Sequence, residues 1–244
     1  MKYYDMHEDA YKQLKAKNKI SWDGETDPSK LFDHEINRAL EKRINHFFSL
    51  TSGLKAVDLG TGTGTAALNL ARKGFSVIGY DLSTTAIELA QKNARELELD
   101  LKFEVADIVS IKTTEKVDLV VDSSLLHCLV EKKDREDFFK LSFDLLKNDG
   151  LLFLHTMIES PDMSEMTDRD YLVYEDHILY STGPDRWDMQ WKQVQGKKVF
   201  AHRFISTVPM LELEIKEAGF EIVESLVDPQ LKSTGTFCGW LKKR

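Results

Sequence analysis

The sequence predicts an α/β fold: a doubly wound, seven-stranded, mostly parallel sheet with helices on both faces and an antiparallel last strand. Three observations carry this. Short apolar runs alternate with helix-period segments from residue 55 to residue 155, the pattern of strand–helix–strand units. The first four runs end at Gly60, Asp81, Asp107 and Asp122, which right-handed crossovers would place along one sheet edge. Two further apolar runs, Phe220 to Val227 and Thr236 to Leu241, are joined through Asp228-Pro229-Gln230, a link short enough to make them antiparallel neighbours.

Residues 1–26 carry Tyr3, Tyr4, Tyr11 and Trp22 among many charges. Ala10, Leu14 and Tyr11 form a thin apolar stripe, so a short amphipathic helix is expected to lie as a lid on the domain. Asp27-Pro28-Ser29 reads as a helix start, followed by Phe32, Ile36, Ala39 or Leu40, Ile44 and Phe47 at helical spacing. Strand one, Lys55 to Leu59, runs through a glycine turn into a helix with Ala66, Ala67, Leu70 and Ala71 inward, closed by Lys73-Gly74. Strand two, Ser76 to Tyr80, leads to a helix opened by Ser83 to Thr85. Thr85 and Glu88 stand at capping-box spacing, and Ile87, Ala90, Ala94 and Leu97 mark the buried side. Strand three is Leu101 to Ala106. Strand four, Val117 to Val121, leads into Ser123-Ser124-Leu125-Leu126-His127. Asp134 is read as the cap of a helix with Phe138, Leu141 and Leu145 inward, ended by Asn148-Asp149-Gly150. Strand five is Leu151 to His155.

Residues 157–206 break the rhythm. They hold Tyr171, Tyr174, Tyr180, Trp187 and Trp191 with four methionines, and Lys197 to Ser206 looks strand-like. So long a segment after a core strand reads as a functional insert. Thr207 and Pro209 start a last helix, stopped by Gly219. The expected organisation is one domain over residues 1–244: a lid (1–26), a core (27–156), a substrate-side insert (157–206) and a terminal helix and hairpin (207–244).

Composition narrows the function. Apolar residues at 42% and charged residues at 30% suit a packed domain of 244 residues. No apolar run approaches the ~18–20 residues of a membrane span, and the N-terminus lacks a signal peptide's apolar core. Cys128 and Cys238 form no CxxC pair, which favours reduced thiols in a cytoplasmic protein over disulfides or zinc. The net charge is −8, and the basic clusters (Lys12 to Lys19, Lys132-Lys133, Lys242-Lys243-Arg244) are short, which disfavours nucleic acid as partner.

The stretch Ala56 to Leu68 is the chemical centre. Gly60, Gly62 and Gly64 allow backbone angles barred to other residues and close approach of a ligand, and the helix that follows offers unpaired N–H groups. Two nucleotide motifs fail in detail. A dinucleotide fingerprint needs a glycine where Thr65 stands, and a phosphate-cradling Walker loop needs a lysine that is absent.

Asp58-Leu59-Gly60-Thr61-Gly62-Thr63-Gly64 instead resembles the D-x-G-x-G-x-G motif of class I methyltransferases that use S-adenosylmethionine. The likeness extends over residues 30–155 and the terminal hairpin. It implies a Rossmann-like cofactor domain. S-adenosylmethionine has no phosphate, so no lysine is required, and Asp81 can accept from both ribose hydroxyls. The resemblance puts Asp107 at the adenine amino group, with Ala106 and Ile108 beside the ring and Leu82 packed on it. It puts Gly60, Thr61 and Gly62 against the methionine portion, with Asp58 ordering the loop or reaching the amino group. Gly64 and Asp122 complete the expected cofactor set.

The implied reaction is transfer of the methyl group, leaving S-adenosylhomocysteine. Methylases of amino groups in nucleic acid or glutamine carry a D/N-P-P-Y/F sequence after strand four. Here Asp122-Ser123-Ser124-Leu125 lacks the proline and aromatic, which points to a small-molecule acceptor. His127 is the candidate general base, His155 a weaker one. No metal is expected, since the Asp…Asp-Asn ligands of catechol-type members are missing. Tyr11, Trp22, Tyr171, Tyr180, Trp187 and Trp191 could form an aromatic cage, which with the surrounding carboxylates favours an amine acceptor and leaves thiol or hydroxyl open. Oligomeric state is not indicated. Two other readings stay open: a non-catalytic S-adenosylmethionine sensor or scaffold, and a nicotinamide-dependent dehydrogenase.

Overall fold

The computed structural model describes residues 6–111, 115–183, 190–230 and 232–244. Tyr3, Tyr4, Trp187 and Met189 lie outside them. In chain order the elements open with α1 (Met6–Ala16), a 3-10 turn (Pro28–Asp33) and α2 (Glu35–Phe47). The strand–helix units follow as β1 (Lys55–Leu59), α3 (Thr65–Arg72), β2 (Ser76–Asp81), α4 (Thr84–Glu96), β3 (Lys102–Val105), β4 (Val117–Ser123), α5 (Lys132–Leu145) and β5 (Leu146–Ile158). The insert contributes α6 (Ser164–Thr167), β6 (Leu172–Glu175), β7 (Ile178–Ser181), β8 (Lys192–Val194) and β9 (Lys197–Phe204). The chain closes with α7 (Val208–Glu217), β10 (Phe220–Asp228) and β11 (Gly235–Lys243).

The main sheet has the order β10-β11-β5-β4-β1-β2-β3. β1 to β5 pair in parallel, and β11 lies antiparallel between β5 and β10. The strand order reverses at β1, whose neighbours are β2 and β4, so the crevice beyond its C-terminal end is the natural ligand site of such a sheet. Side chains alternate between two cores as a strand's period of two requires. Ala56, Leu119, Val121, Leu151 and Phe153 pack with Leu40, Leu68, Leu70 and Ile87 of α2, α3 and α4. Their neighbours Val57, Val120, Leu152 and Leu154 pack with Phe138, Phe139, Leu211 and Ile215 of α5 and α7.

Local chemistry moves several boundaries. The expected helix from Asp27 is two pieces: Asp27 caps the 3-10 turn through the Ser29 N–H, and His34 Nδ1 accepts from Ile36 N at 3.2 Å to start α2. The cap of α4 is Ser83, whose Oγ accepts from Ala86 N at 3.0 Å. Thr85 and Glu88 form no capping box, because Thr85 is held by Glu8 and Glu88 pairs with Lys15 at 2.6 Å. Asp134 lies inside the first turn of α5. β5 is 13 residues long, starting at Leu146 where a helix end was expected.

The insert folds as its own antiparallel sheet, β6-β7-β9-β8, around Val173, Tyr180, Val194 and Val199. Arg135 fastens it to the core. This buried guanidinium donates to Glu214 of α7 through Nε (2.8 Å) and a second N–H, to Leu126 O (3.1 Å) and to Ser206 Oγ (3.1 Å), and lies 4.5 Å from the Phe204 ring centroid. Among the described residues no helix is long and apolar enough to cross a membrane.

Candidate active site

A cavity of about 460 Å³ opens beyond the C-terminal ends of β1, β2 and β4, within the ~300–1,000 Å³ common for small-molecule sites. Its floor is the glycine turn. Gly60 (φ +70°) and Gly62 (φ +54°) are left-handed. A Cβ on Gly60 would stand 2.8 Å from Leu125 Cβ, and one on Gly62 2.7 Å from the Tyr11 hydroxyl, so neither place admits a side chain. Asp58, fully buried, ties the turn from behind. Its Oδ2 accepts from Thr61 Oγ1 (2.7 Å) and Ala67 N (3.2 Å), and its Oδ1 from Ser123 Oγ (3.3 Å). Burial pushes its carboxyl up to about 7.

The backbone donors of this turn have internal acceptors. Thr61 N donates to Tyr80 O, Gly62 N to Asp81 Oδ2 and Gly64 N to Thr61 O, each at 2.8 Å. These N–H groups are thus not arrayed for a phosphate, and among the described residues Arg203 is the one lysine or arginine that lines the cavity. Asp81 also accepts from Ser83 N through Oδ1 at 2.8 Å. Leu82 N also interacts with this carboxylate, so backbone donors hold both oxygens while Asp81 still lines the cavity. Burial raises this carboxyl to about 6. Leu82, Ala106, Asp107 and Ile108 continue the same wall, and Leu82 is left 37% exposed.

α1 is the roof. Glu8 accepts from Ser83 Oγ (2.6 Å), Thr85 Oγ1 (2.7 Å) and Thr85 N (3.2 Å), at the N-terminus of α4 where a carboxylate is favoured. Burial alone would raise its pKa, but the hydrogen bonds from Ser83 and Thr85 bring it below the usual value. Tyr11 reaches down over Gly62 and packs on Trp22, ring centroids 5.0 Å apart.

The far end is built by the chain leaving β4. Asp122 Oδ1 accepts from Leu125 N (2.7 Å) and Leu126 N (3.2 Å). Its buried Oδ2 has no partner, and burial raises the carboxyl to about 8. Ser124 takes φ +78°, a strained angle for a side-chain-bearing residue, with its N–H on His155 O at 2.9 Å. His127 follows. Its Nδ1 accepts the Met157 N–H at 3.2 Å and lies 3.2 Å from Thr156 Oγ1. That bond assigns the ring proton to Nε2. Among the described residues Nε2 has no protein partner and is not sealed away, so it opens to the cavity that the ring lines. Burial first, and then Arg203, hold the pKa of His127 well below its ordinary value.

The structure thus brings Tyr11, Trp22, Gly60, Thr61, Gly62, Asp81, Leu82, Ala106, Asp107, Ile108 and His127 around one cavity. Asp58, Gly64 and Asp122 are not on its surface: Asp58 and Asp122 are walled in, and Gly64 caps α3. The aromatic cage does not assemble among the described residues. Tyr180 belongs to the core of the second sheet, and Trp191 packs edge-on to Phe200 at 5.6 Å. Trp187 lies outside the described residues. With the Met157 N–H on Nδ1, the neutral His127 ring carries its hydrogen on Nε2, and that nitrogen can donate a bond but has no lone pair to take a proton as the expected base would. Sequence reasoning missed Glu8, His7 and Arg203 in the cavity wall. An acidic residue in the first turn of α1 was a signal for Glu8, but nothing local marks the other two.

A family profile described as "Methyltransferase domain" matches residues 50–200, more than half of the chain. The ubiquinone biosynthesis O-methyltransferase of Pelagibacter ubique is 30% identical over 158 residues, 60% of this chain and 64% of that relative. The chain thus matches under two thirds of that relative's length. In fold it is similar to a S-adenosylmethionine-dependent methyltransferase from Clostridium acetobutylicum (TM-score 0.66, 15% identity, 96% and 99% of the two chains). It is also similar to magnesium protoporphyrin IX methyltransferase from Synechocystis with bound SAH (TM-score 0.68, 14% identity, all of both chains). With its glycine turn, antiparallel last strand and matched profile, the chain belongs to the class I methyltransferase domain family.

Proposed function

We propose that this chain transfers a methyl group from S-adenosylmethionine to a small-molecule acceptor. The observation that carries the reading is Asp81: a half-buried carboxylate held by backbone donors and lining the cavity, beside a glycine turn whose own N–H groups have internal acceptors. Vicinal ribose hydroxyls fit that carboxylate in either cofactor, and the turn supports S-adenosylmethionine over a nicotinamide dinucleotide, because its Thr61, Gly62 and Gly64 N–H groups are taken internally and offer nothing to a pyrophosphate.

When bound, S-adenosylmethionine supplies a methyl group on a sulfonium whose sulfur is the leaving group. The chain's own residues hold and shield the reactants. Asp81 holds the ribose, Leu82, Ala106 and Ile108 flank the adenine, and Asp107 stands at its edge. Gly60 to Gly62 give the backbone approach for the methionine portion. The acidic character of this half, with Glu8, Asp81 and Asp107, suits a cationic cofactor. Tyr11 and α1 close the roof, which excludes water and fixes geometry. Such positioning contributes on the order of 7–11 kcal/mol in the best cases. One arginine in the cavity wall among the described residues, and the roofed entrance, support a small acceptor over a nucleic acid.

Calorimetry with S-adenosylhomocysteine and with NADH tests the reading. Micromolar binding of the first, and none of the second, is expected. Tight NADH binding without S-adenosylhomocysteine binding overturns it. Release of S-adenosylhomocysteine in the presence of an acceptor separates an enzyme from a sensor.

A further inference from the structure

The acceptor end of the cavity carries a cation that none of the preceding chemistry uses. Arg203 projects from β9 of the second sheet into the cavity wall shared by His7, His127, Cys128 and Met157. Its guanidinium donates through one nitrogen to His202 O at 2.8 Å, the same nitrogen lying 3.4 Å from His202 Nδ1. Among the described residues no carboxylate pairs with it, and its remaining N–H groups are not sealed in protein. Half-withdrawn from water, this guanidinium keeps charge-assisted donor capacity that an anionic ligand can take up.

The carboxylates of the cavity are engaged elsewhere or stand at the other end. Glu8 is held by Ser83 and Thr85, Asp81 by Gly62 and Ser83, and Asp23 by His34 Nε2 at 3.0 Å. Asp107 sits with the adenine wall, and Glu35 at the start of α2 beside His34. The titratable groups near Arg203 are histidines, the Tyr11 hydroxyl and the Cys128 thiol, the last two pushed up by burial. His7 (about 3), His202 (about 2) and His127 are kept neutral by burial first and by Arg203 next. At neutral pH this end therefore holds one permanent positive charge and the outward N–H of His127.

Resting on the methyltransferase reading, we propose that Arg203 and His127 form an anion subsite, and that the methyl acceptor is a compact anion of the carboxylate class, not an amine. A guanidinium with free N–H groups matches a carboxylate's two oxygens, and the His127 Nε2–H adds a third donor. A protonated amine would meet uncompensated positive charge there. The amine preference drawn from composition does not suit this end of the cavity.

The test uses benzoate and benzylamine, alike in shape and opposite in charge, with the full chain saturated by S-adenosylhomocysteine. Ligand-observed NMR is expected to show benzoate binding and no benzylamine binding. Arg203→Gln is expected to weaken benzoate about tenfold or more, the scale of a lost charge-assisted pair. Arg203→Lys should restore part of that loss, and S-adenosylhomocysteine affinity should stay within twofold in both variants. Long-range ¹H–¹⁵N spectra should show the Nε2-protonated tautomer of His127. Stronger benzylamine binding, benzoate binding indifferent to Arg203→Gln, or binding of neither overturns the subsite. A fall in S-adenosylhomocysteine affinity in Arg203→Gln also overturns it, by assigning the guanidinium to the cofactor's carboxylate. Failure of the wild-type chain to bind S-adenosylhomocysteine would instead sink the methyltransferase reading.

Discussion

Replacing Asp81 by Asn keeps the outline of the side chain and changes its chemistry at a point where every donor is accounted for. The wild-type carboxylate accepts Gly62 N–H and Ser83 N–H, each at 2.8 Å. An amide has one acceptor oxygen, so one backbone donor then faces an NH₂ and loses its partner. On the ligand side one of two hydroxyls also loses a charged acceptor. A hydrogen bond to a charged group contributes roughly 1.5–3 kcal/mol, so S-adenosylhomocysteine affinity should fall about 10- to 100-fold. Titration gives an independent signature. The free carboxyl sits at about 6, because burial disfavours its charge. Ligand hydroxyls favour the ionised form, so wild-type affinity falls as pH drops below about 6 and is flat above it. The Asn variant should lack this dependence. Calorimetry from pH 5 to 8 on both proteins provides the assay. Wild-type affinity in Asp81→Asn, or an unchanged pH profile despite weaker binding, refutes the reasoning.

Glu8→Ala removes the acceptor that docks α1 on α4. Glu8 is partly exposed, so the expected effect is about a tenfold faster S-adenosylhomocysteine release, read by stopped-flow fluorescence of the neighbouring Trp22. Asp122→Asn tests the partnerless Oδ2. The folded carboxyl, at about 8 against 3.8 unfolded, makes the native state hold its proton more tightly, so its contribution to stability declines as pH rises through that window. The Tm difference, variant minus wild type, should therefore grow from pH 5 to pH 8 without cofactor, and a constant difference counts against the assignment. Arg135→Met strands Glu214 and the Leu126 carbonyl, and should lower unfolding free energy by about 3 kcal/mol in urea melts while leaving the m-value unchanged.

The main sheet was readable because its signals are local. Gly60 and Gly62 need left-handed backbone, and the period-two alternation of Leu119, Val120 and Val121 between two cores follows directly from the strand run. The acceptor side was not, because its contacts join distant parts of the chain. Glu8 meets Ser83 and Thr85 across more than 70 residues. The insert's aromatics looked like a cage by composition, yet β7 turns Tyr180 into the sheet's own core. His127 was visible as a residue, but its role depends on the Met157 N–H from the next strand, which decides which nitrogen bears hydrogen.

The roof and β9 have a consequence for descent. The stretch shared with the family ends at residue 200, just before Arg203, and starts after His7, Tyr11 and Trp22. The floor of the cavity lies inside the matched stretch, while His7, Tyr11, Trp22 and Arg203 of its cover lie outside it, in two separate segments. The cover can therefore change in sequence with Asp58, Gly60 and Asp81 untouched. A graft of residues 6–36 together with 197–206 is the unit in which that change would travel.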